Sequence, residues 1–155
     1  MKKIFALVLF LLTCNAQANN AYVHKMTQNG ALSCLTNTVF YESNLESKKD
    51  KELVAVVVLN RAVTNNKHVC DVVKRKAQFS FYKTGMNWNE RATHEESLKI
   101  VLDILRRSMQ NRQNTYNNVM FFHANTIKPS WNYKELVVVS KQSGHTFYRM
   151  KEMKK

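Results

Sequence analysis

Apolar residues recur at helical spacing through the first half of the chain. The pattern predicts three long helices and, between the second and third of them, a shorter helix or irregular turn. The second long segment is apolar nearly all round, which is typical of a helix buried in the middle of a domain. The long helices are predicted at residues 31–41 (or as far as 44), 48–63 and 94–109, and the short element at 70–76.

Two of these helices are preceded by a capping pattern. Ser47 stands three residues before Asp50, and Thr93 stands three residues before Glu96. A hydroxyl followed three residues later by an acidic side chain is typical of the first turn of a helix. The second and third long helices are therefore predicted to begin just after Ser47 and Thr93.

Beyond a polar spacer at residues 110–118 the pattern becomes extended. Strands are predicted at 119–122, leading to His123, and at 136–140 and 145–150, with Ser143 and Gly144 as the hairpin connection. The segment 78–82 alternates polar and aromatic residues, which indicates a short strand or a loop lining a cleft. The predicted fold class is α+β, with N-terminal helices followed by a small antiparallel sheet in a single domain over residues 19–155.

Residues 1–18 have the pattern of a secretory signal peptide. Lys2 and Lys3 precede an apolar run, and small residues at 16 and 18 predict cleavage before Asn19. An uncleaved anchor is an alternative, although the run is shorter than the roughly twenty residues that span a bilayer. Lipidation at Cys14 is a second alternative to cleavage before Asn19. We expect a secreted or periplasmic protein.

An exported protein folds in an oxidising compartment, where thiols can pair. Once the signal peptide is removed, Cys34 and Cys70 are the two cysteines left in the chain. Two cysteines allow a single bridge, so a Cys34–Cys70 disulfide is predicted.

The chain is strongly basic, with a formal net charge of +13 that falls by two, to +11, without Lys2 and Lys3. Such a charge favours an anionic partner, namely a cell wall polymer, lipid head groups or nucleic acid. Export argues against nucleic acid, and the aromatic residues are not interleaved with Lys and Arg as a stacking platform. A wall polymer is the favoured partner, weak membrane contact is an alternative, and the charge also has the simpler interpretation that it serves solubility.

Glu42 is the candidate catalytic residue. Leu35, Val39 and Glu42 are spaced by four and then three residues, so all three lie on one face of the first helix. A carboxyl group on that inward face, at the negative end of a helix dipole, is favoured as the neutral acid. That is the form a general acid needs near neutral pH. The competing interpretation is a Glu at a frayed helix end that turns out to water.

Other chemistries have weaker support. The five histidines do not have metal-ligand spacing and the chain has no glycine-rich phosphate loop, so neither a metal nor a cofactor is expected. A Cys/His peptidase is an alternative, because Cys34 lies in the first predicted helix and His123 and His145 follow on strands. Pairing with Cys70 would consume that thiol. A non-catalytic basic wall-binding protein is the third possibility.

Seven ordered blocks between residues 32 and 148 resemble the cell wall hydrolase family typified by the spore cortex-lytic enzyme catalytic domain. The blocks are Cys-Leu-Thr-Asn-Thr-Val-Phe-Tyr-Glu at 34–42, Val-Val-Leu-Asn-Arg at 57–61, Val-Cys-Asp-Val-Val at 69–73, Gln-Phe-Ser at 78–80, Phe-His-Ala at 122–124, Pro-Ser-Trp at 129–131 and Gly-His-Thr-Phe-Tyr at 144–148. The resemblance implies a fold similar to lysozyme-like lytic transglycosylases. It also implies that Glu42, in the Tyr-Glu pair, is the catalytic acid.

The resemblance further implies an enzyme that cleaves peptidoglycan between N-acetylmuramic acid and N-acetylglucosamine, as a lytic transglycosylase with one catalytic Glu. A hydrolase would need a second carboxylate, for which Glu46, Asp50, Glu52 and Asp71 are the candidates. The chain departs from the family at Ser43 and Asn44, where Ala and Arg are usual, and at Phe81, where Trp often stands. We expect a monomer, used by a bacterium to remodel its wall or by a phage to lyse a cell. The expected substrate-binding residues are Asn60, Gln78, Ser80, His123, Trp131, His145 and Tyr148.

Overall fold

The computed structural model describes residues 30–75, 79, 91–110 and 118–152. Within these ranges four helices precede a small sheet, which confirms the predicted α+β class. The predicted signal peptide, and Gln78 and Ser80 among the expected site residues, lie outside the described residues. The elements are α1 (Ala31–Ser43), α2 (Lys48–Thr64), α3 (Val69–Lys74), α4 (Arg91–Gln110), β1 (Phe121–Ala124), a 3-10 turn (Tyr133–Glu135), β2 (Leu136–Lys141) and β3 (His145–Met150).

Helix α2 is the centre of the helical layer. Every residue from 50 to 58 is buried, which confirms the prediction from its all-round apolar pattern. The helix contacts α1, α3, α4 and strand β1. Among the described residues, no helix combines the length and the apolar character needed to cross a membrane.

The two capping predictions have different outcomes. The Ser47 hydroxyl accepts a hydrogen bond from the Asp50 N–H at 3.2 Å, so α2 begins where it is predicted to begin. Helix α4 begins at Arg91, three residues before the predicted start at His94. The predicted start is therefore wrong by three residues, and Glu96, the expected capping partner of Thr93, forms an ion pair with Lys51 of α2 at 2.8 Å.

The sheet has three antiparallel strands in the order β1-β3-β2, so β3 is central. Strand β1 begins at Phe121, two residues later than predicted, and includes His123. The shift has a cause in α2, because the carbonyl groups of the two preceding residues accept hydrogen bonds from that helix. Asn60 Nδ2 donates to the Val119 carbonyl at 2.9 Å, and Arg61 Nε donates to the Met120 carbonyl at 2.7 Å.

A disulfide joins Cys34 of α1 to Cys70 of α3, which confirms the predicted pairing. The two Cα atoms are 5.4 Å apart, within the range that a disulfide spans. Because the thiolate is the nucleophile in cysteine peptidases, the bonded Cys34 sulfur is not available for that chemistry. The disulfide therefore argues against the Cys/His peptidase alternative.

The helical layer is joined to the sheet by a buried pair between Asp50 and His145. His145 Nδ1 lies 2.7 Å from Asp50 Oδ1, and the two residues are 5% and 0% exposed. The contact fixes the first turn of α2 against the start of β3. It therefore sets the position of the hairpin relative to the end of α1, which is four residues before Ser47 on the chain.

Asp50→Asn is expected to lower the free energy of unfolding by about 1.5–3 kcal/mol, the usual contribution of a buried hydrogen bond to a charged group. The substitution keeps the shape of the side chain but removes its charge. Urea denaturation measures the loss. Asp71→Asn is the matched control, because Asp71 is exposed in the first turn of α3 and its loss should cost less than about 1 kcal/mol. Equal stability of the two variants would contradict a stabilising role for the pair.

Candidate active site

Glu42 lies in the last turn of α1, one residue before the helix ends at Ser43. Leu35 and Val39, which share its face, are completely buried. Glu42 itself is half-buried, and its Oε1 atom is shielded from solvent. The predicted inward face is confirmed, and the carboxylate is not a frayed end turned out to water.

The loop after Glu42 is held against the β2–β3 turn. The Ser143 hydroxyl donates a hydrogen bond to Glu46 Oε2 at 2.8 Å. A Cβ atom at Gly144 would collide with the Glu46 carboxylate, so a larger residue at this position would displace the Glu46 side chain. Asn125 Nδ2 donates to the Ser143 carbonyl at 2.9 Å and thereby fixes the same turn from the end of β1. The end of α1 and the hairpin turn therefore form one connected structure.

The carboxylates considered as a second catalytic group are mostly engaged elsewhere in the fold. Glu46 accepts from Ser143, Asp50 pairs with His145, and Glu52 Oε1 lies 2.9 Å from an Arg107 guanidinium nitrogen. The fourth, Asp71, is exposed on α3. In the part of the chain that the structure describes, no three His, Cys, Asp or Glu side chains are grouped to hold a metal ion.

Four aromatic residues form a cluster that joins strands β1 and β3 to the segment before β2: His123, Trp131, Tyr133 and Tyr148. His123 Nε2 lies 2.9 Å from the Tyr148 hydroxyl, and the two rings are stacked at 5.4 Å. The Trp131 ring lies 5.6 Å from His123 and 6.0 Å from Tyr148. A pocket of about 330 Å³ adjoins the cluster, lined by three of its members together with residues 125–128.

Tyr148 is the most buried member of this aromatic cluster, at 7% exposed. Burial and the neighbouring Tyr133 raise the pKa of Tyr148 above its usual value. The phenol consequently stays protonated at neutral pH and can donate a hydrogen bond. Its hydroxyl and the His123 imidazole form a hydrogen-bonded polar pair among the ring faces of the cluster.

The structure places the described members of the expected substrate-binding set in three locations: the aromatic cluster, the core face of β3 and helix α2. His123, Trp131 and Tyr148 come together in the aromatic cluster. His145 alternates with Tyr148 across β3 and lies on the core face, where its ring meets Phe122 edge-on at 5.1 Å. Asn60 lies on α2, where its amide anchors the chain before β1. Their roles towards a substrate stay predictions.

Tyr133 is a member of the aromatic cluster that the sequence interpretation missed. It follows Trp131 by two residues, the spacing that places side chains on the same side of an extended segment. The Trp-x-Tyr spacing could therefore have predicted that Tyr133 lies beside Trp131. Its ring lies 6.2 Å from that of Trp131 and 5.9 Å from that of Tyr148.

Arg61 of α2 is a partly buried cation that contacts the start of β1. Its guanidinium carbon lies 5.9 Å from the ring centres of both Phe79 and Phe121. Burial, and then the charge of Arg75, lower the pKa of Arg61 to about 10, so the side chain stays protonated at neutral pH. The contact with Phe79, which is 3% exposed, fixes the middle residue of the Gln-Phe-Ser block in the core.

The half-buried Glu42 thus lies near the end of the first of four helices that pack on a small antiparallel sheet, and solved structures share this fold. The crystal structure of the catalytic domain of the Bacillus cereus SleB protein is similar, with 22% identity and a TM-score of 0.60, over 75% of this chain and 87% of that chain. The catalytic domain of the germination-specific lytic transglycosylase SleB from Bacillus anthracis is also similar. It has 20% identity and a TM-score of 0.61, over 77% of this chain and 94% of that chain.

The sequence model of the family described as Cell Wall Hydrolase matches residues 45–148, which is more than half of the chain. The chain belongs to the Cell Wall Hydrolase family. The matched range begins three residues after Glu42 and does not include it. No curated protein matches the chain.

Proposed function

We propose that the protein is a lytic transglycosylase that cleaves peptidoglycan strands between N-acetylmuramic acid and N-acetylglucosamine, with Glu42 as the single catalytic residue. The observation that carries the proposal is the half-buried Glu42 carboxylate at the end of α1. Membership of a cell wall hydrolase family supports the substrate, and the similar fold of a lytic transglycosylase supports the reaction.

In the proposed mechanism Glu42 acts first as an acid and then as a base. The protonated carboxyl group gives its proton to the glycosidic oxygen, the bond from that oxygen to the sugar C1 breaks, and an oxocarbenium-like species develops. The 6-hydroxyl of the same muramic acid then attacks C1 and gives its proton to the Glu42 carboxylate. An anhydro ring closes, the carboxyl group is regenerated and no water is consumed.

One carboxylate suffices for this sequence of steps. A hydrolase would need a second one, about 5–5.5 Å away to retain configuration or 6.5–9.5 Å away to invert it. The engagement of Asp50 with His145 and of Glu52 with Arg107 supports the single-carboxylate mechanism, because both carboxylates already have partners inside the fold.

The aromatic cluster is the proposed platform for the sugar rings. Carbohydrates present flat apolar faces edged by hydroxyl groups, which suit the ring of Trp131 together with the hydrogen-bonding pair of His123 and Tyr148. The net positive charge of the chain favours approach to the anionic wall polymer. These features support binding of a glycan strand.

The products of digestion test the proposal. Purified sacculi incubated with the protein are expected to release muropeptides with anhydro ends, each lighter by one water than the corresponding reducing product. Mass spectrometry before and after borohydride treatment separates the two, because borohydride adds hydrogen to reducing ends alone. Reducing ends would mean hydrolysis and a second carboxylate. Binding to sacculi without any released product would mean a non-catalytic wall-binding protein.

A further inference from the structure

The pocket beside the aromatic cluster has an uneven charge. Among the described residues that line it, Lys128 is a cation and none is a carboxylate. Lys128 lies in the segment between β1 and the 3-10 turn. The other lining residues are neutral or carry an imidazole: His123, Asn125, Thr126, Ile127, Tyr133 and Tyr148. The positive charge of this wall favours an anionic ligand.

Most polar groups in the pocket wall already have partners within the protein. The Tyr133 hydroxyl donates to the Pro129 carbonyl at 3.2 Å. Asn125 Nδ2 donates to two backbone carbonyls of the β2–β3 turn, at 2.8 and 2.9 Å. Its Oδ1 atom accepts from the Thr146 hydroxyl at 2.7 Å. These two side chains therefore shape the wall and have no donor to offer to a ligand.

The hydrogen-bonded pair of His123 and Tyr148 is also committed. His123 Nδ1 lies 2.9 Å from the Ala124 carbonyl, which can only accept, so Nδ1 carries the proton of the neutral imidazole. Nε2 is then the acceptor, and the Tyr148 hydroxyl donates to it at 2.9 Å. The Tyr148 oxygen can still accept from a sugar hydroxyl, but neither side chain has a free N–H or O–H for an anion.

Two side-chain donors in the wall have no partner in the described part of the chain, the Lys128 ammonium and the Thr126 hydroxyl. Both residues are exposed. Nearby carboxylates are engaged elsewhere, because Glu135 accepts from Asn132 at 2.8 Å and Glu152 lies 3.8 Å from Arg149. The ammonium ends a flexible four-carbon chain, so it can follow an anion within the pocket.

A charged donor beside a neutral donor suits a carboxylate, whose two oxygens can accept from both. We propose that Lys128 makes this pocket a subsite for a carboxylate of the substrate, and this inference rests on the proposed action on peptidoglycan. That polymer carries carboxylates in two places, the lactyl group of a muramic acid without a peptide and the stem peptide. Ile127, which is 60% exposed in the same wall, can contact the carbon atoms that bear the carboxylate.

The position of the pocket connects this subsite to the proposed sugar platform. The pocket and the aromatic cluster share His123, Tyr133 and Tyr148. A sugar ring held on the cluster would therefore bring its own substituents to Lys128. Lys128 determines which strands bind well, and it takes no part in breaking the glycosidic bond.

The test uses the full chain and small probes that have no glycosidic bond to cleave. N-acetylmuramic acid and N-acetyl-L-Ala-D-Glu are titrated separately, and the NMR signals of the Thr126 and Ile127 methyl groups are followed. Each probe is compared with its uncharged form, the methyl ester of the sugar and the diamide of the dipeptide. At least one acid is expected to shift both signals and to bind about five- to tenfold more tightly than its uncharged form. The sugar acid assigns the subsite to the lactyl group, and the dipeptide assigns it to the stem peptide.

Three variants assign the preference to one side chain. Lys128→Met keeps most of the length of the side chain without the charge, so the acid and its uncharged form should bind equally. Lys128→Glu should reverse the preference. Lys134→Met is the matched control, because Lys134 is an exposed lysine on the 3-10 turn that does not line the pocket. It should retain the full preference.

The inference is overturned if neither acid shifts the two signals, if each acid binds like its uncharged form, or if Lys128→Met keeps the preference. Glycerol phosphate that binds more tightly than both acids would also overturn it, in favour of a phosphate polymer. Failure of the proposed function has a different signature. Sacculi that yield no anhydro ends would contradict transglycosylation and leave the binding preference at Lys128 unchanged.

Discussion

Glu42→Gln is expected to lower the release of muropeptides from sacculi by at least about 10²–10⁴-fold, the usual contribution of a general acid. The loss is expected to be larger still if the same carboxyl group also acts as the base. The amide keeps the shape and the hydrogen-bonding capacity of the side chain but has no transferable proton. Because Leu35 and Val39 hold this face of α1 in the core, folding and binding to sacculi should be retained.

The matched control is Glu46→Gln, four residues further along the chain. Glu46 is also a partly buried carboxylate, but it accepts a hydrogen bond from Ser143, which an amide oxygen can still accept. Glu46→Gln should therefore change the rate of cleavage by less than about tenfold. The same small effect is expected for Glu52→Gln. Clearing of a sacculus suspension gives the rate, and sedimentation with sacculi gives the binding. Wild-type cleavage by Glu42→Gln would mean that the catalytic residue is misassigned.

The inward position of Glu42 was predictable because the signal is local. Leu35, Val39 and Glu42 fall on one helical face whatever the rest of the chain does. The Cys34–Cys70 pairing was predictable for another reason, since a chain with two exported cysteines has one possible bridge. In both cases the inference requires no knowledge of how the helices pack.

The contacts that position the site were not predictable in this way. Asp50 and His145 are 95 residues apart, and neither has a local pattern that identifies the other as its partner. The ion pair of Glu96 with Lys51 of α2 is likewise a tertiary contact that the local pattern does not identify.

These long-range contacts converge on the end of α1. The Ser143 hydrogen bond to Glu46 and the Asp50–His145 pair both join the segment just after Glu42 to the β2–β3 hairpin. Tyr148, on the face of β3 opposite His145, belongs to the aromatic cluster. The hairpin is therefore the element through which the helical layer, with its catalytic candidate, is placed relative to the proposed sugar platform.

Removing the disulfide by the double substitution Cys34→Ala with Cys70→Ala is expected to lower the free energy of unfolding by about 4 kcal/mol. The bridge closes a sequence separation of 36 residues and ties α1 to α3, with Cys70 8% exposed. Its main effect is to restrict the unfolded chain, and the loss is large beside the 5–15 kcal/mol that stabilises a typical domain. Urea denaturation of the oxidised protein and of the double variant measures it.

A reductant separates the bridge from the packing of the two side chains. The reductant should shift the urea midpoint of the unaltered protein towards that of the double variant, and it should leave the variant unchanged. At urea concentrations below its unfolding midpoint the double variant should still cleave sacculi. Glu42 lies eight residues from Cys34 on α1, and the proposed mechanism uses no thiol. An unchanged midpoint on reduction would contradict a stabilising bridge. Loss of cleavage by a folded Cys34→Ala variant would instead support the alternative that the protein is a Cys/His peptidase.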